Sequence, residues 1–145
     1  MISAQSGSRM GMNTNTAAPS SRSAIWTGRV LSGLAAAFLT FDAVFKVARA
    51  PEALKTLGEL GYPPSVLVPL GIVQLVCLAI YLFPRTAVLG AVLWTGYLGG
   101  AIATHVRVGN PMLSHTLFPV YVAVFVWGGL FLRDARVKKL VSDVA

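Results

Sequence analysis

The sequence predicts an all-α integral membrane protein, a four-helix bundle with both termini cytoplasmic, and three observations carry that prediction. Hydrophobic residues make up 55% of the 145 and charged ones only 12%, against roughly 25% charged in soluble domains. The apolar residues gather into four blocks, each near the roughly 20 residues that a spanning helix needs. An open sheet would leave backbone groups unpaired in lipid, and these blocks lack the alternation of barrel strands, so helices are the element left.

Residues 1–23 are rich in Ser, Asn, Thr and Gly without apolar periodicity. Burial could not offset the entropy of ordering them, so they read as a disordered cytoplasmic tail. The membrane domain is predicted over 24–134, followed by a short basic C-terminal tail at 135–145. Its first span, about 25–47, is the least clean, with Arg29 near its start and Asp42 and Lys46 near its end. The spans at 66–83, 86–104 and 116–132 contain no charged residue.

Proline and glycine punctuate these blocks. Pro63 and Pro64 open the second span, Pro84 closes it, and Thr86 is available to cap the third, which predicts a tight antiparallel hairpin. Between the first two spans, Leu54, Leu57 and Leu60 recur about one turn apart among Glu52, Lys55 and Glu59. That pattern predicts a short interfacial helix closed by Gly61.

The net charge of +7 does not indicate a nucleic-acid partner. The basic residues sit singly at block edges, where they fix helices in a bilayer; the partner implied is lipid. Arg9, Arg22, Arg29, Arg85, Arg133, Arg136, Lys138 and Lys139 share one side, against Lys46, Arg49, Lys55 and Arg107. This asymmetry predicts a multi-pass protein of the cell inner (plasma) membrane with its ends and the Arg85 turn inside. Cys77 is the single cysteine, which excludes an intramolecular disulfide, a redox pair and a cysteine cluster, and it reads as packing.

Small residues mark where helices approach in lipid. Gly28, Ser32 and Ala36 form one such row and Gly96 with Gly100 another. Close packing within the bundle is expected of both, with a homo-oligomer face as the alternative. Phe38, Phe41 and Phe45 line one face of the first span.

The topology brings Asp42 and Lys46 to the level of His105, Arg107 and His115, with Tyr97 and Tyr121 about two turns deeper as walls. Asp42 and Lys46 are four apart with the acid first, the favourable order for an ion pair on one helical face. A charge stranded in the bilayer costs roughly 2.5–3.5 kcal/mol on insertion scales, so Asp42 needs a partner and Lys46 is the nearest. Together these residues are the candidate ligand-binding set, outward-facing, with a membrane-edge ion pair and helix-end hydrogen bonds as the purely structural alternative. The His spacing is not that of a metal site, no metal is assigned, and no catalytic residue can be named.

Elements F-D-x-x-x-K at Phe41, L-G-Y-P at Leu60, Y-L-x-P-R-T-A at Tyr81, G-Y-L-G-G-A-x-A-T-H-x-R at Gly96 and H-x-L-F-P at His115 occur in order. In these the chain resembles the DoxX-like family of small four-helix membrane proteins, over about Thr27 to Asp134. The resemblance implies a quinone-facing role beside a redox-enzyme partner, with quinone the only cofactor it admits. The residues supply no haem, flavin or iron–sulfur site, so an enzyme acting alone is not expected. A small multidrug-type transporter and a purely structural subunit of a membrane complex are the rival readings.

Overall fold

The computed structural model describes residues 21–144, which leaves most of the segment read as a disordered tail outside the described residues. Ser21 accepts a hydrogen bond from the Ala24 amide and starts helix α1, Arg22–Val47, inside that segment. Helix α2, Pro51–Glu59, is the short connector helix expected from its leucines. Helices α3 (Leu67–Leu82), α4 (Ala87–Arg107) and α5 (Phe118–Arg133) complete the bundle. With a 3₁₀ turn at Pro64–Val66 before α3 and a π turn at Met112–Thr116 before α5, four segments are long and apolar enough to span a membrane.

The helices pack in the cyclic order α1, α3, α4, α5, so α1 and α4 face each other diagonally. One end of the bundle, where α1 begins and α5 ends, is closed by contact between backbones. A Cβ on Gly28 would lie 2.8 Å from the Gly129 carbonyl, and one on Gly90 would lie 2.4 Å from the Tyr81 backbone. Helices come together this closely in lipid because dispersion and hydrogen bonds replace the hydrophobic drive. Tyr81, fully buried, binds three helices: its hydroxyl donates to the Val126 carbonyl at 2.9 Å and accepts from Ser32 at 3.0 Å. The Gly28–Ser32 row therefore packs as expected.

Three expectations are corrected. Gly96, Gly99 and Gly100 face open space, so the second small-residue row does not bring helices together within the chain. Thr86 stands at the N-cap of α4 as expected, but its hydroxyl does not cap the helix; it donates back to the Ile80 carbonyl at 2.8 Å, because Pro84 leaves the end of α3 with carbonyls lacking an amide partner. The segment read as a basic tail contains helix α6, Ala135–Val144, whose Val137 is buried in the bundle core. Asp134 adopts extended backbone between α5 and α6 and accepts from the Arg136 amide, so α6 is a new helix rather than a continuation.

Candidate functional site

At the opposite end, where α2 lies, the helices part. Gly71 still brings α3 against Ala43, Lys46 and Val47 of α1. Beyond that contact a cavity of about 800 Å³ opens between α1, α3, α4 and the start of α5, with α2 along its rim. Its wall is mostly apolar, and the Phe38, Phe41 and Phe45 face supplies one side. Gly96 and Gly100 supply part of the facing side, where missing side chains leave volume.

The polar residues of the cavity centre on Gln74, which the sequence reading passed over. Gln74 is fully buried. Its amide nitrogen donates to the Leu39 carbonyl at 3.2 Å and to the Asp42 carboxylate at 2.6 Å. Its oxygen accepts from Lys46 Nζ and from the Tyr97 hydroxyl, both at 3.0 Å. Every donor and acceptor of the side chain is used, which fixes its orientation. Lys46 also donates to Asp42, closing a ring of Asp42, Lys46 and Gln74 with Tyr97 attached. The signal was present in the sequence: Gln74 is the one amide side chain in an apolar span, and such residues in membranes join helices or mark sites.

The ring leaves chemistry unused. All its bonds to Asp42 reach one carboxylate oxygen, so the other accepts nothing among the described residues. Trp94, also in the wall, is fully buried, and its indole N–H has no acceptor among the described residues. His105 lines the cavity nearer its mouth, its Nδ1 2.8 Å from the Asn110 amide nitrogen. The amide donates, so a neutral ring carries its proton on Nε2.

The remaining predicted residues are dispersed around this centre. Arg107 is at the rim, where Nη2 donates to the Leu60 carbonyl at 2.7 Å and the guanidinium lies over the Tyr62 ring. His115 sits in the π turn with its ring 6.0 Å from that of His105, but outside the cavity wall. Tyr121 is exposed and faces a separate apolar groove of about 260 Å³ between α1 and α5. Phe38, Phe118 and Val122 belong to the walls of both groove and cavity, and the two Phe rings meet edge to face at 5.5 Å. The structure thus brings Asp42, Lys46, Tyr97 and His105 together at one cavity, and not Arg107, His115 and Tyr121.

Compared with known proteins, the model of the DoxX-like family matches residues 30–129, a stretch that holds every cavity residue named above. No curated protein and no solved structure matches the chain.

Proposed function

We propose that this chain, which belongs to the DoxX-like family, is an accessory protein of the inner (plasma) membrane whose cavity binds a lipid-soluble molecule of the quinone type for a redox partner. The observation that carries the reading is the cavity itself. A volume of about 800 Å³ is in the range of small-molecule sites, and its apolar wall with few convergent polar groups has the usual composition of such sites. The donor set fits a quinone. The His105 ring N–H and the remaining proton of Lys46 suit carbonyl oxygens, and the unused Asp42 oxygen suits a quinol hydroxyl. A quinone, when bound, supplies a carrier of two electrons and two protons. The protein's part is to orient the headgroup against the ring and exclude water with the Phe38, Phe41 and Phe45 face. A hydrocarbon chain would follow that Phe face, whose Phe41 ring is exposed, toward lipid.

The transporter reading draws less support, since a proton-coupled carboxylate works unpaired and Asp42 is held by both Lys46 and Gln74. Mass spectrometry of gently purified protein tests the proposal. Wild type is expected to carry a quinone that is lost in His105→Ala. Wild type without any bound small molecule, from cells that contain quinones, would sink it. Reporter fusions at Arg85 and Arg133 are expected to report cytoplasm, and fusions at Leu57 and Asn110 the outer side.

A further inference from the structure

The two ends of the bundle differ in charge as well as in packing. The α6 end carries Arg22, Arg29, Arg85, Arg133, Arg136, Lys138 and Lys139 against only Asp134 and Asp143; the α2 end carries Lys46, Arg49, Lys55 and Arg107 against Asp42, Glu52 and Glu59. Four of the seven basic residues, Arg85, Arg136, Lys138 and Lys139, lie on α6 and the turn beside it. Arg136 donates to the Pro84 carbonyl, which fixes the start of α6 beside the exposed Arg85. Asp134 engages the same guanidinium through Nε at 3.1 Å and Nη2 at 2.8 Å, so Arg136 is already committed. Lys138 lies over the Phe131 ring, and Lys139 and Arg85 have no acidic partner within salt-bridge distance among the described residues.

Helix α6 has an apolar face as well. Val137, Leu140 and Val141 recur at spacings of three and four, which puts them on one side, with Lys138 and Lys139 on the other. Only Val137 is covered by the bundle; Leu140 and Val141 are 56% and 52% exposed. The helix therefore begins docked on the core and continues with its apolar face uncovered, directly after a membrane span. It also lies outside the stretch that matches the family.

We infer that α6 and the Arg85 turn form a binding site for anionic phospholipid headgroups. Leu140 and Val141 enter the acyl boundary of the adjoining leaflet, and Arg85, Lys138 and Lys139 engage the phosphates. The apolar side alone would accept any bilayer, but the charge selects the occupant: Arg133 has buried guanidinium nitrogens and Arg136 is held by Asp134, which leaves Arg22, Arg29, Arg85, Lys138 and Lys139 to be repelled by cations and to gain from an anionic leaflet. Docking of Val137 and the Arg136 bond mean that lipid engagement also stabilises this end of the bundle.

Hydrogen exchange of the α6 amides, read on the full chain in vesicles, tests the inference. Exchange is expected to be about 30-fold slower in phosphatidylcholine containing phosphatidylglycerol than in phosphatidylcholine alone, the factor for two lysines at such a surface. The Lys138→Gln/Lys139→Gln variant should lose most of that difference while amides of α3 and α4 stay protected, which reports an intact bundle. Equal exchange in both vesicles overturns the anionic preference. Equal slowing by free glycerol phosphate overturns the lipid assignment in favour of a soluble anion. Unchanged exchange in the double variant overturns the role of the lysines.

Discussion

Glycine does opposite things at the two ends of this bundle. At the α6 end, Gly28, Gly90 and Gly129 stand where another helix occupies the space a side chain would take. At the α2 end, Gly96 and Gly100 stand where nothing occupies it, and the same absence of a side chain becomes cavity. In water the hydrophobic effect would press both ends shut. In lipid, closure follows only from dispersion and hydrogen bonding between fitted surfaces, so an end without fitted surfaces stays open. The polar ring at Gln74 belongs to the open end, where it ties α4 to α1 and α3, which also meet closely at Gly71.

The comparison breaks most visibly at Gly90. A Cβ there would meet the Tyr81 backbone at 2.4 Å, and backbone cannot move aside as a flexible side chain can. Gly90→Val is expected to cost on the order of 3 kcal/mol or more, or to prevent folding, as overpacking at a rigid contact does. Thermal unfolding in detergent reads this, and a Gly90→Val protein as stable as wild type would mean that the α3–α4 crossing is not closed.

A smaller effect is expected at the ring. Asp42→Asn strands Lys46 and Lys46→Met strands Asp42, whereas the pair of changes removes both charges. The double variant should therefore be less damaged than the sum of the singles, with a coupling of about 1–3 kcal/mol. Strictly additive losses would show that the ion pair contributes nothing. Gln74→Leu should add to the loss in either single variant, because Asp42 and Lys46 each keep a bond to the amide.

Much of this was legible in the sequence, and the parts that were not have physical reasons. The four spans, the connector helix and the Asp42–Lys46 pair follow from local rules: apolar length, leucine spacing and an acid four residues before a base. Whether a small-residue row is used depends on what the facing helix presents. Gly28 faces Gly129 and Gly100 faces a void, and one chain's spacing cannot distinguish them. His115 and Tyr121 fall short of the cavity for a similar reason: the π turn at Met112–Thr116 sets the rotation of α5, and a one-residue rotation moves a side chain by about 100°. Helix α6 was missed because only ten residues with four charges resemble a solvated tail until Val137 is seen to dock.

The junction before α6 gives a pH-dependent effect of about 1 kcal/mol, the usual worth of an acidic cap. Hydrogen bonds from the Arg136 side chain hold the Asp134 carboxyl below the usual carboxylate range. The folded value lies below the unfolded one, so the carboxylate's contribution is complete above the unfolded pKa, near 4, and is lost as the pH falls through the folded value. Hydrogen exchange of the α6 amides, corrected for the intrinsic pH dependence, should show protection failing only in that acid range. Asp134→Asn should flatten the profile, because the amide still caps but no longer titrates.

The smallest change in stability is expected where the glycines line the cavity, and it separates the two roles most sharply. A Cβ built at Gly96 or Gly100 meets no atom within 4 Å, so a larger residue clashes with nothing at its root. Leucine is also a better helix former than glycine by somewhat under 1 kcal/mol. Gly96→Leu/Gly100→Leu is therefore expected to leave the unfolding midpoint unchanged or slightly raised, the opposite of Gly90→Val. Its side chains would fill space beside Tyr97 and the Gln74 ring, so the bound molecule expected in wild type should be lost although folding is not. A destabilised double variant would show that α4 packs against something at this face, a second copy of the chain for instance, and that the opening is a contact surface. A stable variant that keeps its ligand would place the ligand elsewhere. Only stability retained together with binding lost fits glycines that serve to keep a volume open.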